Sequence, residues 1–324
     1  MKRKHYLLPA VLAAVLGSVF APLDKTQAAE YPERPIKLVV PNGAGGSTDI
    51  TARLVAGVFN EKLGADLAIV NMPGGGTSIG ATSVAESPAD GYTLLFTHEA
   101  LLTSSAMGAN RLGPASLTPI AQVAKEVIVL AVRKDSPITS LQGFYDAAAK
   151  GHTGDKLKLG INPGAANHFF LLNALAPVEH DVIFVPTGGG AKTLKSLLGS
   201  HIDASAFAVS ESIEAIRGGE VVPLAVFNTE RHLDLPDVPT ASESGYDLNI
   251  GLHYVSYAPA GTPADIVAKL ADAMSATLAE DSFQQTLIER SITPALITGS
   301  ELGTTLDERY ATIQALANKY ILGQ

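Results

Sequence analysis

Residues 41–54 read PNGAGGSTDITARL and follow the apolar run IKLVV at 36–40. The order is strand, glycine-rich turn, helix. Gly43, Gly45 and Gly46 allow close backbone approach and positive φ. Ser47 or Thr48 suits a helix cap, and Asp49 in the first turn suits the helix dipole. Such a turn aims free N–H groups at whatever lies in front of it. A dinucleotide fingerprint needs a glycine at position 48, where threonine stands. No basic residue follows before Arg53. The turn therefore reads as a site for a carboxylate held by neutral donors rather than for a phosphate.

The same order recurs along the chain. After IKLVV and its helix, ADLAIVN precedes TSIGATSVAES, and YTLLFTH closes a first series. In the first helix, Ile50, Leu54, Val58 and Leu63 keep helical spacing. A long apolar stretch from about Pro119, PIAQVAKEVIVLAVRKDS, reads as a strand leaving one lobe for another. A second series then runs LKLGINPG into AANHFFLLNAL, DVIFVPTGGG into AKTLKSLLG, IDASAFAVS and VVPLAVFN. HYVSYAPAG is a candidate return strand, and TPADIVAKLADAMSATLAE a helix with Pro263 near its start. Alternation of this kind implies βαβ units, a parallel sheet with helices on both faces, and ligands at the carboxyl ends of strands. The expected domains are a signal peptide at 1–28, a discontinuous first lobe at 29–128 and 250–324, and a second lobe at 129–249.

Lys2, Arg3 and Lys4 precede the apolar run LLPAVLAAVLGSVFAPL and the small residues of TQAAE, the pattern of an exported chain's signal peptide. Removing residues 1–28 takes four basic residues and one acidic residue away, leaving 19 and 31 and a net charge of −12. Nucleic acid, which needs a basic footprint, is a poor partner for such a chain. Without cysteine there is no disulfide, thiolate zinc site or catalytic thiol. About 295 mature residues are enough for a large core in two lobes. The expected location is the periplasm, with no cofactor and no metal.

Of two enzymatic patterns, the first is weakened by its context and the second fails. GTSIG matches G-x-S-x-G at Gly76, Ser78 and Gly80, but PGGG separates Ser78 from the strand end at Val70 or Asn71. TGGGAKTLKSL lacks a P-loop, because Ala191 separates Gly190 from Lys192 and Val185 replaces the first glycine. None of the eight histidines forms a zinc pattern. His98 follows a strand end, His168 a helix start, and His253 lies on the return strand. The turns NPGAANH (162–168) and PTGGGAK (186–192) instead repeat the first arrangement in the second lobe, so lobe closure on one small solute is the motion expected.

Several blocks in the same order carry a family resemblance: YPERPIKLVVPNGAGGSTD, NMPGGGTSIGATSVAESPADGYTLL, VPTGGGAKTLKSLLGSHIDA, LAVFNTERHLDLPDVPTASESGY and YAPAGTP. They span nearly the whole mature chain. The sequence resembles the substrate-binding proteins of tripartite tricarboxylate transporters, the Bug family of extracytoplasmic solute receptors. The resemblance implies an α/β, two-lobed periplasmic binding protein of type II, a Venus flytrap with a ligand cleft between two βα lobes. It implies capture of a small organic carboxylate and delivery, as a monomer, to a large and a small membrane subunit. The ligand residues it implies begin with the first turn, Asn42 to Asp49, including Ala44, Gly45, Gly46, Ser47 and Thr48. The second-lobe counterparts are Asn162, Gly164, Ala165, Asn167 and His168, together with Thr187, Gly188 and Gly189. Thr97, His98 and Ser210 join from strand ends, and His253 from the return strand.

Two positions depart from the family pattern: Asn42 and Gly43 stand where an aromatic residue and proline are usual, and His253 where tryptophan is common. Both changes make the cleft more polar. They point to a di- or tricarboxylate or a hydroxy acid, with His253 meeting a second carboxylate. The alternatives are a periplasmic serine hydrolase using Ser78 and a ligand-sensing receptor for a two-component system.

Overall fold

The computed structural model describes Met1, residues 31–149 and residues 154–320. The signal-peptide assignment lies outside the described residues. Strands and helices run in chain order as β1 (Ile36–Val40), α1 (Ser47–Leu63), β2 (Leu67–Asn71), α2 (Ser78–Ala85), β3 (Thr93–Thr97), α3 (Ala100–Ala106) and the long β4 (Leu117–Arg133). Then come α4 (Leu141–Ala148), β5 (Lys158–Ile161), α5 (Ala166–Leu175), β6 (Ile183–Pro186), α6 (Gly190–Leu198), β7 (Ala204–Ala208), α7 (Val209–Arg217) and β8 (Val221–Val226). The chain ends with β9 (Gly251–Pro259), α8 (Ala264–Leu278), α9 (Asp281–Glu289), β10 (Thr293–Thr298) and α10 (Gly299–Tyr320).

The strands pair in the order β2-β1-β3-β9-β4-β7-β5-β6, with β10 and β8 also on β4. Pairing is parallel within β2-β1-β3 and within β6-β5-β7, and antiparallel at every contact of β4 and β9. The sheet is thus mixed, where a parallel one was expected. β4 is the seam. Its residues Leu117–Val127 pair with β9, and Ile128–Val132 pair with β7, so one strand belongs to both half-sheets. Its apolar run is nearly continuous because it is buried along most of its length.

α1 begins where Gly46 leaves the turn in an extended conformation, and it ends at Gly64 with φ 74°. Its buried stripe is Thr51, Ala52, Val55, Ala56, Phe59 and Leu63. Of the row expected from spacing, Leu63 is buried, and Ile50, Leu54 and Val58 are only half-buried. The small residues Thr51, Ala52 and Ala56 belong to the row that faces inward. α8 starts after Pro263 and buries Leu270, Ala273, Met274 and Leu278. The elements after residue 280 carry weaker periodicity and were not anticipated. Among the described residues no helix is long and apolar enough to cross a membrane.

Candidate functional site

Three helix starts converge on one cavity of about 160 Å³. α1 contributes Ser47 and Thr48, α5 contributes Ala166 and Asn167, and α6 contributes Gly190 and Ala191. The residues before them, Gly46, Ala165 and Gly189, provide no side-chain cap. A helix leaves its first N–H groups without internal partners, and the aligned peptide dipoles make that end electropositive. The cavity is smaller than the ~300–1,000 Å³ of drug-sized ligand sites. It suits a solute of a few carbons.

The first turn is held from behind. The Asp49 carboxylate, 3 % exposed, accepts from Gly45 N–H at 2.9 Å, from Asn71 Nδ2 at 3.0 Å and from Arg53 Nε at 3.0 Å. Burial by itself raises its pKa, but these hydrogen bonds and the Arg53 charge outweigh it and hold the group below the ordinary value. Asn71 Nδ2 also donates to the Asn42 carbonyl at 3.1 Å. Asp49 and Gly45 therefore brace the turn and do not line the cavity.

In the second lobe, Asn167 Oδ1 accepts from Asn162 N–H at 3.0 Å, which closes the turn before α5. Asn42 Oδ1 and Asn167 Nδ2 are buried with no hydrogen-bond partner among the described residues. Both residues line the cavity, and such atoms are costly to leave unpaired. His98, 8 % exposed, also lines it. Its Nδ1 accepts from Ala100 N–H at 3.1 Å, so the proton sits on Nε2. Burial depresses its pKa to about 4, making it a neutral donor.

Of the residues named from sequence, the structure gathers Asn42, Ala44, Gly46, Ser47, Thr48, His98, Asn162, Ala165, Asn167, Gly188 and Gly189 around this cavity. The others do not line it. Thr187 Oγ1 turns away to the Ile161 carbonyl at 3.1 Å and to Thr193 Oγ1 at 2.6 Å. His168 Nδ1 accepts from Gly164 N–H at 3.3 Å, and its ring meets Phe184 edge-on. Gly164 is packed against Ala109 and Gly76. Thr97 is fully buried. Ser210 N–H donates to Glu126 Oε2 at 3.3 Å. His253 is not among the residues lining the cavity, and Glu99 engages both its backbone N–H and its ring Nδ1, at 2.5 Å each.

Two charged residues at the cavity were missed. Lys192 lines it from α6, so basic charge is nearer than Arg53 suggested. Its signal was set aside with the failed P-loop pattern. Glu211 lines it from α7, and its Oε1 accepts from Ser47 N–H at 2.7 Å. An acid in the first turn ordinarily reads as a partner for its own helix, as Glu211 is for α7. Here it also reaches another helix, 164 residues away in the chain. Ser78 opens α2 away from the cavity and, among the described residues, hydrogen-bonds no histidine or carboxylate. Its neighbour Gly76 has φ 61° and packs against the Pro163–Gly164 backbone.

The comparisons agree with this architecture. The model for "Tripartite tricarboxylate transporter family receptor" (TctC) matches residues 51–320. BugT of Bordetella pertussis is 28 % identical over 299 residues, covering 89 % of this chain and 90 % of BugT. The solved periplasmic binding protein BugD superimposes with a TM-score of 0.83 at 28 % identity, covering 90 % of this chain and 98 % of that one. MatC from Rhodopseudomonas palustris, solved with bound malate, gives 0.82 at 28 % identity, covering 88 % and 99 %. A two-lobed periplasmic binding protein fold and a family match over most of its length lead to one conclusion: this chain belongs to the tripartite tricarboxylate transporter family of receptors.

Proposed function

We propose that this protein captures a small organic carboxylate between its two half-sheets and delivers it to the large and small membrane subunits of a tripartite tricarboxylate transporter. The observation that carries this reading is the meeting of three helix starts at one cavity of about 160 Å³, none capped by its own N-cap side chain and only that of α1 met from elsewhere, by Glu211. Neutral donors there, such as His98 Nε2–H and the Asn167 amide, suit a carboxylate without demanding a phosphate's charge. MatC, which shares the fold at 28 % identity, holds malate. Periplasmic location follows from the family. Export by residues 1–28, a monomeric state and lobes at 29–128 with 250–324 and at 129–249 complete the proposal. The protein acts as a non-catalytic receptor, and a Ser78→Ala variant keeps its ligand affinity.

The test is a thermal-shift screen of residues 29–324, refolded to remove carried-over ligand, against mono-, di- and tricarboxylates, aromatic acids and amino acids. A ligand at 100 times its dissociation constant adds about 2.7 kcal/mol. A shift confined to one class of acid supports the reading. Silence across all acids overturns it.

A further inference from the structure

The cavity is not uniformly suited to an anion. Glu211 reaches from α7 to the start of α1, where the Ser47 N–H that a ligand carboxylate would use is already occupied, at 2.7 Å. The fit is built. A Cβ added at Gly190 would stand 2.1 Å from both Glu211 carboxylate oxygens, and one at Gly46 would stand 3.3 Å from Oε1. Glycine at both positions leaves room for the carboxylate between two helix starts.

A second acid lies behind the first. Glu126 of β4 is 2 % exposed, and its oxygens accept from Tyr254 OH at 2.5 Å and Ser210 N–H at 3.3 Å. Desolvation raises the pKa of Glu211, and burial raises that of Glu126, with the Glu211 charge adding to the latter. Among the described residues no ion pair reaches either carboxylate. The titratable and charged groups facing Glu211 are Glu126 from β4, Tyr254 from β9, His98 after β3 and Lys192 on α6. His98 is neutral, and Lys192 is exposed and enters no ion pair among the described residues. An uncompensated inward carboxylate costs several kcal/mol unless a cation or a proton meets it.

Resting on the carboxylate-receptor reading, we propose that Glu211 selects a ligand carrying an ammonium group beside its carboxylate, a zwitterionic acid of the amino-acid type. The carboxylate end meets the uncapped starts of α5 and α6, and the ammonium end meets Glu211. A ligand made only of carboxylates brings further negative charge to an acid already in place. This replaces the di- or tricarboxylate expected from the polar departures at Asn42 and His253, because His253 is consumed by Glu99 and an acid stands where more basic groups were required.

The experiment uses matched pairs that differ only in the ammonium. The refolded protein is screened against the standard amino acids and their des-amino counterparts (aspartate with succinate, glutamate with glutarate, and so on), and hits are measured by calorimetry near neutral pH. Wild type binds the amino member about tenfold or more tighter. Glu211→Gln keeps an acceptor for Ser47 and loses the preference, tightening on the des-amino acid. A des-amino acid bound as tightly as its partner by wild type overturns the inference without needing the variant. So does a preference unchanged in a folded Glu211→Gln protein. Binding of neither member of any pair overturns the carboxylate reading itself, an outcome distinct from binding without preference.

Discussion

Glu99 grips His253 at two points, the backbone N–H and the ring Nδ1, both at 2.5 Å, while Arg309 stands 3.4 Å from the same carboxylate. The three groups tie α3's entry, β9 and α10 together behind the cavity. Burial by itself raises the Glu99 pKa, but the His253 ring, its hydrogen bond and Arg309 outweigh it and hold the carboxyl below the ordinary value. A carboxyl with a depressed folded pKa stabilises above its unfolded value and loses that contribution as pH falls through the folded one. Glu99→Gln should cost on the order of 3 kcal/mol at neutral pH by breaking a buried pair. Its urea midpoint should also fall less steeply than that of wild type below about pH 4. Parallel acid limbs in the two proteins would falsify the assignment. His253→Ala should lower the thermal midpoint and leave ligand affinity in place.

Glu126 and His98 give stability opposite slopes with pH. Burial raises the Glu126 pKa from 4.5 to about 7, so the fold favours the neutral acid. That contribution is complete below 4.5 and is lost as pH rises to about 7. His98, lowered from 6.5 to about 4 by burial, is stabilising when neutral, and its contribution is lost as pH falls across that interval. Glu126→Gln removes the first slope. Relative to wild type it should gain on the order of 3 kcal/mol between about pH 5 and pH 8. Urea unfolding at the two pH values measures this, and an unchanged difference counts against a neutral Glu126.

Asp49 is the brace of the first turn. Asp49→Ala leaves Gly45 N–H, Asn71 Nδ2 and Arg53 without their acceptor, at a cost of about 1–3 kcal/mol. Amide exchange at residues 43–46 should accelerate while that of β1 does not. Uniform exchange across both segments would mean that the turn is held by something else.

Gly76 allows the first half-sheet's loop to touch the second's. Its φ is 61°, and an added Cβ would stand 3.0 Å from the Pro163 carbonyl oxygen and the Gly164 carbonyl carbon, backbone atoms that cannot swing away. Gly76→Ala should destabilise by about 1–3 kcal/mol. Gly43→Ala, where nothing lies within 4 Å of the new methyl, should stay within about 0.5 kcal/mol. Equal thermal midpoints for the two variants would remove the contact's importance.

What the chain by itself determined is local. Glycines at 43, 45 and 46 before a helix, and again at 188–190, announce strand-turn-helix units wherever they fold, because the positive φ that Gly45, Gly188 and Gly189 adopt, and a helix start without an N-cap side chain, are properties of a few neighbouring residues. The alternation of those units made two lobes legible, and 11 of the named site residues lie at one cavity. Antiparallel pairing through β4 and β9 was not legible, since the same apolar runs serve either direction. Nor was the charge of the site. Glu211 reaches Ser47 across 164 residues and Glu99 takes His253 across 154, and neither pairing leaves a periodicity or spacing to read. Tertiary structure alone decided which carboxylate met which donor, because that depends on where whole elements end in space, and so it alone decided what charge the cleft presents to a ligand.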